Sequence, residues 1–392
     1  MSKSRKFALQ HLAKRVGVIG TTKIEESLRI LETRKDIISL GAGEPDFPAP
    51  PNVVKAAQEF LEEGYTHYSP LQGRHELREM VAKKLKRENK IDAAPEEIII
   101  CCGSKEAILL SALVTLDAGN EAVVPDPGYI AYRPIVEMID ARPIMLPLHE
   151  KDNFEVHPEI LSKLITKKTK LLILNTPSNP TGTVLSRKTL EEIADVIVDK
   201  NIIAMVDEAY EKLIYGKAKH ISLASLNGMF DRVITTQSFS KTYAMCGFRV
   251  GYAAANEKII KEMKEFKLCT TLSAPTFAQL AAVEALRSSK KYTAKMRHEY
   301  DRRRRHIIKR INQIPHIHQT KNPQGAFYAF PNITETKMKS EKFADFLLKK
   351  AKVIVVPGTE FGKYGEGFVR MSYATSYNKI EEAMDRIEKV IK

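Results

Sequence analysis

Residues 170–210 read KLLILNTPSNPTGTVLSRKTLEEIADVIVDKNIIAMVDEAY. Lys170–Leu174 is a short apolar run that ends in the turn-rich NTPSNPTG. Leu190–Val198 spaces its apolar residues at the helical period, with charges between them. Ile202–Val206 is a second apolar run and ends at Asp207. Two strands apolar throughout, joined by an amphipathic helix, form the pattern of a parallel pair buried on both faces.

The alternation extends outward from about Glu96 to Ala255. Glu97–Cys102 (EIIICC) reads as a buried strand closed by Gly103, and residues 104–116 as a buried helix. Ala122–Val124 is a short run closed by Pro125 and Pro127, and Arg232–Thr236 and Val250–Ala254 are further strands. The expected class is α/β, with a mainly parallel sheet covered by helices on both faces. Beyond Ala278 the texture changes. Phe277–Ile314 reads as one long charged helical stretch, and Gly325–Phe330, Val353–Val356 and Phe368–Ser372 read as strands of a smaller α+β domain. The expected division is a large domain over 48–290 and a small domain built from 1–47 and 291–392.

Composition narrows the function. The 392 residues are 43% hydrophobic and 28% charged, which excludes a disordered chain and allows a sizeable core. Four cysteines without a C-x-x-C pair exclude a disulfide scaffold and a cysteine-built zinc centre, and no metal is expected. The longest mainly apolar run, Ala107–Leu116, falls short of the ~20 residues that a spanning helix needs. The N-terminal segment, broken by charge, lacks the apolar stretch of a secretory signal. A cytoplasmic protein without a membrane partner is expected. The net charge of +14 raises the question of nucleic acid. Basic residues are mostly interleaved with acids, and the one dense run, Arg302–Arg305, reads as a solvated helical face. Without stacking aromatics or a finger motif, no nucleic-acid partner is expected.

Ligands of an open parallel sheet bind beyond the carboxyl ends of its strands. Collecting those ends gives Gly103-Ser104-Lys105, Asn175 to Gly182, Asp207 to Tyr210, and Ser238 to Lys241, with Arg249 shortly after. Each has an ordinary reading alone. Gly103 can be punctuation, Asp207 a helix cap, Lys241 a surface lysine and Arg249 half of an ion pair. Together, at successive strand ends, they supply a lysine, an acid, an arginine, hydroxyls and a helix start open to phosphate. That set suits a phosphorylated aromatic cofactor.

At these residues the chain resembles a known family. GAGEPDF (41–47), THYSPLQG (66–73), NTPSNPTG (175–182), DEAY (207–210), SFSKTYAMCGFRVGY (238–252), QGAFY (324–328) and VRMSYA (369–374) are similar to segments of the pyridoxal-phosphate aminotransferases of fold type I. Within class I the resemblance is to the prokaryotic and archaeal aspartate and aromatic amino-acid enzymes. It covers about residues 12–392. It implies a seven-stranded, mainly parallel sheet sandwiched by helices, with pyridoxal 5′-phosphate as cofactor. It implies that Lys241 bonds the cofactor aldehyde and serves as the base at the substrate Cα. Asp207 would pair with the pyridine nitrogen, and Tyr210 and Asn179 would hydrogen-bond the ring oxygen. Tyr129 would stack on the ring. The phosphate would lie on Gly103, Ser104, Lys105, Ser238, Ser240 and Arg249. Arg370 would clamp the substrate α-carboxylate, with the backbone of Gly43 and the side chain of Asn179 beside it. Tyr68 would reach the partner subunit's phosphate, making a homodimer with shared sites, and Ser273 lies near where a second cross-subunit contact falls.

One departure is Gly128 in DPGY, where relatives often carry a bulkier residue, which puts the pocket's shape in question. Tyr65, His67, Ile19 and Tyr328 are candidate readers of the substrate side chain by position alone. The implied reaction exchanges an amino group between an amino acid, aspartate or aromatic, and 2-oxoglutarate by a ping-pong route. The alternative on the same fold is a C–S β-lyase that releases pyruvate and ammonia. A cofactor-binding DNA regulator is disfavoured, since only about 40 residues precede GAGEPDF.

Overall fold

The computed structural model describes residues 23–391 together with Leu12, Ala13 and Val16. Its strands in chain order are β1 (Ile38–Ser39), β2 (Ile98–Cys101), β3 (Glu121–Asp126), β4 (Arg142–Pro147), β5 (Thr169–Asn175) and β6 (Ile203–Asp207), then β7 (Val233–Ser238), β8 (Gly251–Ala254), β9 (Tyr328–Ala329), β10 (Val353–Ile354), β11 (Val356–Pro357) and β12 (Val369–Ser372). Seven of them form one sheet in the order β2-β8-β7-β6-β5-β3-β4. Only β8 runs antiparallel to its neighbours. The central strands are buried along nearly their whole length, as their unbroken apolar runs require. Two apolar layers, one on each face, hold the sheet. One contains Ile100, Leu172, Leu174 and Val206, the other Ile99, Val124, Ile173 and Met205. A third cluster gathers the chain's later part, including Tyr300, Phe327, Tyr328, Phe343 and Met371, and takes in Ile38 and Leu40 from the N-terminal side.

The seventh strand, β4, has no counterpart in the sequence reading. It is RPIMLP, with a proline at its second and last positions, and it pairs only with β3 at the sheet's edge. An edge strand tolerates proline because one row of its N–H groups needs no partner, so the usual strand signal is missing. The expected single helix over 277–314 is two helices, Thr276–Ser288 and Lys290–Ile311, that part at Ser289. The arginine run also departs from its expected reading. Arg302 and Arg305 are solvated, but Arg303 and Arg304 are buried. Arg303 holds both oxygens of Asp46 at 2.8 and 2.9 Å, and Arg304 pairs with Asp301 at 2.7 Å. Four consecutive helical residues spread over about 300° around the axis, so they cannot share one face.

The topology sets up the site. The parallel strands β2, β3, β5, β6 and β7 deliver their carboxyl ends to one rim. Because β8 is reversed, its amino end lies at the same rim, which puts Arg249, two residues before Gly251, beside Gly103.

Candidate active site

A cavity of ≈ 300 Å³ opens at that rim. Lys241, Asp207, Tyr210, Arg249 and Arg370 line it, with Ser104, Lys105, Ser238 and Ser240 along one side and Tyr129, Asn179 and Gly43 along another. The sequence thus names most of the wall. Gly103 lies just behind it. Tyr68 stands apart, its side chain 84% exposed.

Lys241 sits in the first turn after β7. Its Nζ donates to the Gly43 carbonyl at 2.8 Å and lies 3.7 Å from Cys246 Sγ. Burial lowers its pKa, against the pull of Cys246 and Glu44. A buried amine of this kind is readied to lose its proton and act as nucleophile or base.

Asp207 ends β6. Burial raises its pKa to about 6, although the Tyr132 hydroxyl, at 2.8 Å, and the Ala209 N–H, at 3.1 Å, both donate to it. Its backbone carbonyl accepts from Asn175 Nδ2 at 2.8 Å, and Asn175 Oδ1 in turn accepts the Asn179 N–H at 2.7 Å, so β5 and β6 fix each other's ends. A buried carboxylate with no cationic partner costs stability until a ligand supplies one. In the ligand-free protein that cost has a pH signature. The folded pKa lies above the ordinary value, so stability is lost as pH rises from about 4 through about 6. Asp207→Asn therefore raises the melting temperature of the ligand-free protein above pH 6, by up to about 3 kcal/mol of stability, and leaves it unchanged below pH 4. Melting curves across pH 4–8 test this. Equal curves for both proteins would show that Asp207 is not strained by burial.

Gly103 precedes the helix Ser104–Thr115 with φ +78°, and a Cβ there would lie 2.5 Å from the Arg249 guanidinium. A Cβ on Gly251 would lie 2.5 Å from the Ser104 nitrogen. Gly251 is required by its close approach to backbone, and Gly103 by its left-handed φ. They let the guanidinium approach the turn that opens the helix, with Arg249 donating to the carbonyls of Cys246, at 2.9 Å, and Cys102, at 3.3 Å. Arg249 itself has φ +56°, an unfavourable conformation for a residue with a side chain and a frequent mark of a functional position.

Arg370 comes from β12 and is 2% exposed. It donates to Asn179 Oδ1 at 3.0 Å and to the Gly41 carbonyl at 2.7 Å, and its Nε is buried without a partner. The Tyr328 ring lies beneath it at 4.3 Å, and the Tyr328 hydroxyl meets that of Tyr210 at 2.8 Å. A Cβ on Gly43 would come within 3.1 Å of that hydroxyl, closer than ordinary contact, so the hydroxyl would have to give way.

Of the four candidate side-chain readers, Tyr328 lines the cavity. Tyr65 packs locally against Phe60 and Arg74, His67 is exposed, and Ile19 lies outside the described residues. Gly128 does not shape the pocket by its lack of a side chain. A Cβ there would lie 2.3 Å from the Pro125 carbonyl oxygen, so the turn itself demands glycine. Tyr132 and Ile130 were not legible, since nothing in YIAYRP marks which rings turn inward. A second polar cluster lies under β6 and β7. Glu208, Glu211 and His220 have ligand atoms within 4.8 Å of one another, but the Lys84 ammonium pairs with Glu211 and supplies the cation there.

The carboxyl rim of the sheet thus gathers a desolvated lysine, a buried acid and two arginines around one cavity. The chain belongs to the aminotransferase class I and II family, whose sequence profile matches residues 35–387. It is 45% identical over 386 residues to the aspartate aminotransferase of Pyrococcus abyssi (strain GE5 / Orsay), covering 97% of this chain and 98% of that one. It is 44% identical to aromatic-amino-acid aminotransferase 2 of Thermococcus litoralis, with the same coverage. The crystal structure of the aromatic aminotransferase from Pyrococcus horikoshii OT3 superposes with a TM-score of 0.89 at 47% identity, covering 93% of this chain and 98% of that one. The expected fold, that of the fold type I aminotransferases, and the expected enzyme class, an aminotransferase, are both borne out. Among the described residues no helix is long and apolar enough to cross a membrane.

Proposed function

We propose that this aminotransferase binds pyridoxal 5′-phosphate in the cavity and moves an amino group from aspartate or an aromatic amino acid to 2-oxoglutarate. The observation that carries the reading is the convergence of Lys241, Asp207 and Arg370 on one cavity. The residues fit the cofactor. Asp207, strained by burial, suits a cationic ring nitrogen. The Gly103–Ser104–Arg249 cradle suits a phosphate, with the Ser238 and Ser240 hydroxyls beside it. When bound, the cofactor supplies an electron sink for the pair left behind as the substrate Cα–H bond breaks.

The chain's own groups do the rest. Lys241 Nζ would bond the cofactor aldehyde and would serve as the base at the substrate Cα. Asp207 stays ionised by facing a cation. Arg370, aligned by Asn179 and the Gly41 carbonyl, holds the α-carboxylate as a planar fork. The backbone of Gly43 lies alongside it. Tyr129, intermediate in burial, offers a ring face, and Tyr210 and Asn179 offer hydrogen bonds to the ring oxygen. The rings of Tyr129 and Tyr328 in the wall suit an aromatic side chain, and the cationic rim attracts an acidic one. Relatives bearing both names accord with that breadth.

The test is a panel of amino donors against 2-oxoglutarate, with glutamate measured. Aspartate and the aromatic amino acids should lead. Pyruvate and ammonia from a cystathionine-like substrate, without glutamate, would instead identify a β-lyase.

The reading includes a homodimer in which Tyr68 serves the partner subunit's phosphate. Its ring, exposed on the single chain, accords with a contact made only on assembly. Mixing Lys241→Ala and Tyr68→Ala proteins under subunit exchange should then restore up to about a quarter of wild-type activity at limiting cofactor. Half the dimers are mixed, and half of their sites receive both intact residues. Activity equal to the parents' average, with exchange demonstrated by labelled subunits, would place Tyr68 outside the partner's site.

A further inference from the structure

A buried ion pair lies directly behind the helix start that would receive the phosphate. Glu106 is the third residue of the helix Ser104–Thr115. Its side chain folds back, and Oε2 accepts the Cys102 N–H at 2.5 Å. The same oxygen accepts from Lys267 Nζ at 3.0 Å, and the other accepts the Thr271 hydroxyl. Lys267 Nζ also reaches Thr271 Oγ1 at 3.2 Å. The two charged side chains are 5% and 0% exposed. Neither touches the reacting atoms.

A carboxylate in the first turn is favoured by the helix dipole. Here it draws on the same positive end that a phosphate at Ser104 and Lys105 needs. Alone, it would both weaken that end and repel a dianion, with little water to screen it. Lys267, at the end of the helix Glu257–Leu268, cancels that charge from the side away from solvent. The pair also ties Cys102, which opens the strand–helix turn, to the loop at Thr271.

We propose that Glu106 and Lys267 are positioning residues that set the affinity of the phosphate cradle. Glu106 fixes the turn through Cys102, and Lys267 removes the electrostatic penalty of having a carboxylate there. The proposal rests on the reading of Ser104, Lys105 and Arg249 as the phosphate site.

The experiment measures dissociation constants of the stripped protein for pyridoxal phosphate and for inorganic phosphate, with melting temperatures alongside. Lys267→Met leaves an uncompensated carboxylate and should weaken both ligands by about tenfold or more. Glu106→Gln keeps an acceptor for Cys102 and removes the negative charge, so both should bind several-fold tighter. The double variant, neutral and close in volume, should return to within about threefold of wild type. Opposite signs from the two single variants are what an electrostatic role requires and a merely structural one does not give. Single variants that both weaken binding, in step with lost melting temperature, would overturn the proposal. Should Lys267→Met fail to fold, Glu106→Gln against the double variant decides: the double must bind more weakly, because only the lysine charge separates the two. Arg249→Ala serves as control. If it leaves both affinities unchanged, the phosphate site itself is misplaced, whatever the other variants do.

Discussion

Lys241→Ala should abolish practical turnover. Loss of the general base alone is worth about 10²–10⁴ in rate, and loss of the covalent exchange with substrate adds to it. The fold should survive, because the amine's burial opposes its charge and only one hydrogen bond shorter than 3 Å, to the Gly43 carbonyl, is given up. Cofactor should still bind through Asp207 and Arg249, so the loss falls on kcat rather than on occupancy. The measurement is single-turnover glutamate formation with cofactor saturating, beside a binding titration. Retention of more than a tenth of the wild-type rate would remove Lys241 from the role of base. Loss of cofactor binding equal to the loss of rate would make it an anchor only.

The rule that ligands collect at carboxyl strand ends makes most of this cavity legible in the sequence. It works because the rim depends on strand direction, and direction follows from the strand–helix–strand pattern of 170–210. Chain order then gives Ser104, Asn179, Asp207 and Lys241 without knowledge of which strands are neighbours. What escaped depends on pairing across distance. Strand β4 has prolines where a sheet interior would forbid them, and only its place at the edge excuses them. Arg303 looks like its neighbours in RRRR, and its burial is settled by Asp46, 257 residues away in sequence. Glu106 and Lys267 are 161 residues apart, and nothing in the sequence pairs them. Tyr132, the hydroxyl that touches Asp207, differs from other tyrosines only by the rotation of a short helix. Apolar periodicity records which face is buried. It carries no record of which polar group is buried with which.

Arg370 gives the second large effect and the sharper discrimination. Every amino acid and every 2-oxo acid that this site would accept carries the same α-carboxylate, so Arg370→Ala should weaken all of them. Truncating one side of a buried charge-assisted pair costs roughly 2–5 kcal/mol, which is about 30- to 5,000-fold in kcat/KM. Arg370→Lys should recover little of it. An ammonium cannot reproduce the planar fork that Asn179 Oδ1 and the Gly41 carbonyl align, nor the guanidinium's stacking over Tyr328. The variant also leaves Asn179 Oδ1 and the Gly41 carbonyl short of a donor, so melting temperature should fall by an amount that does not depend on substrate. Kinetic loss that is uniform across aspartate, aromatic donors and 2-oxoglutarate assigns Arg370 to the α-carboxylate. Loss confined to the dicarboxylates would move it to the side-chain subsite, and the α-carboxylate would then need another cation.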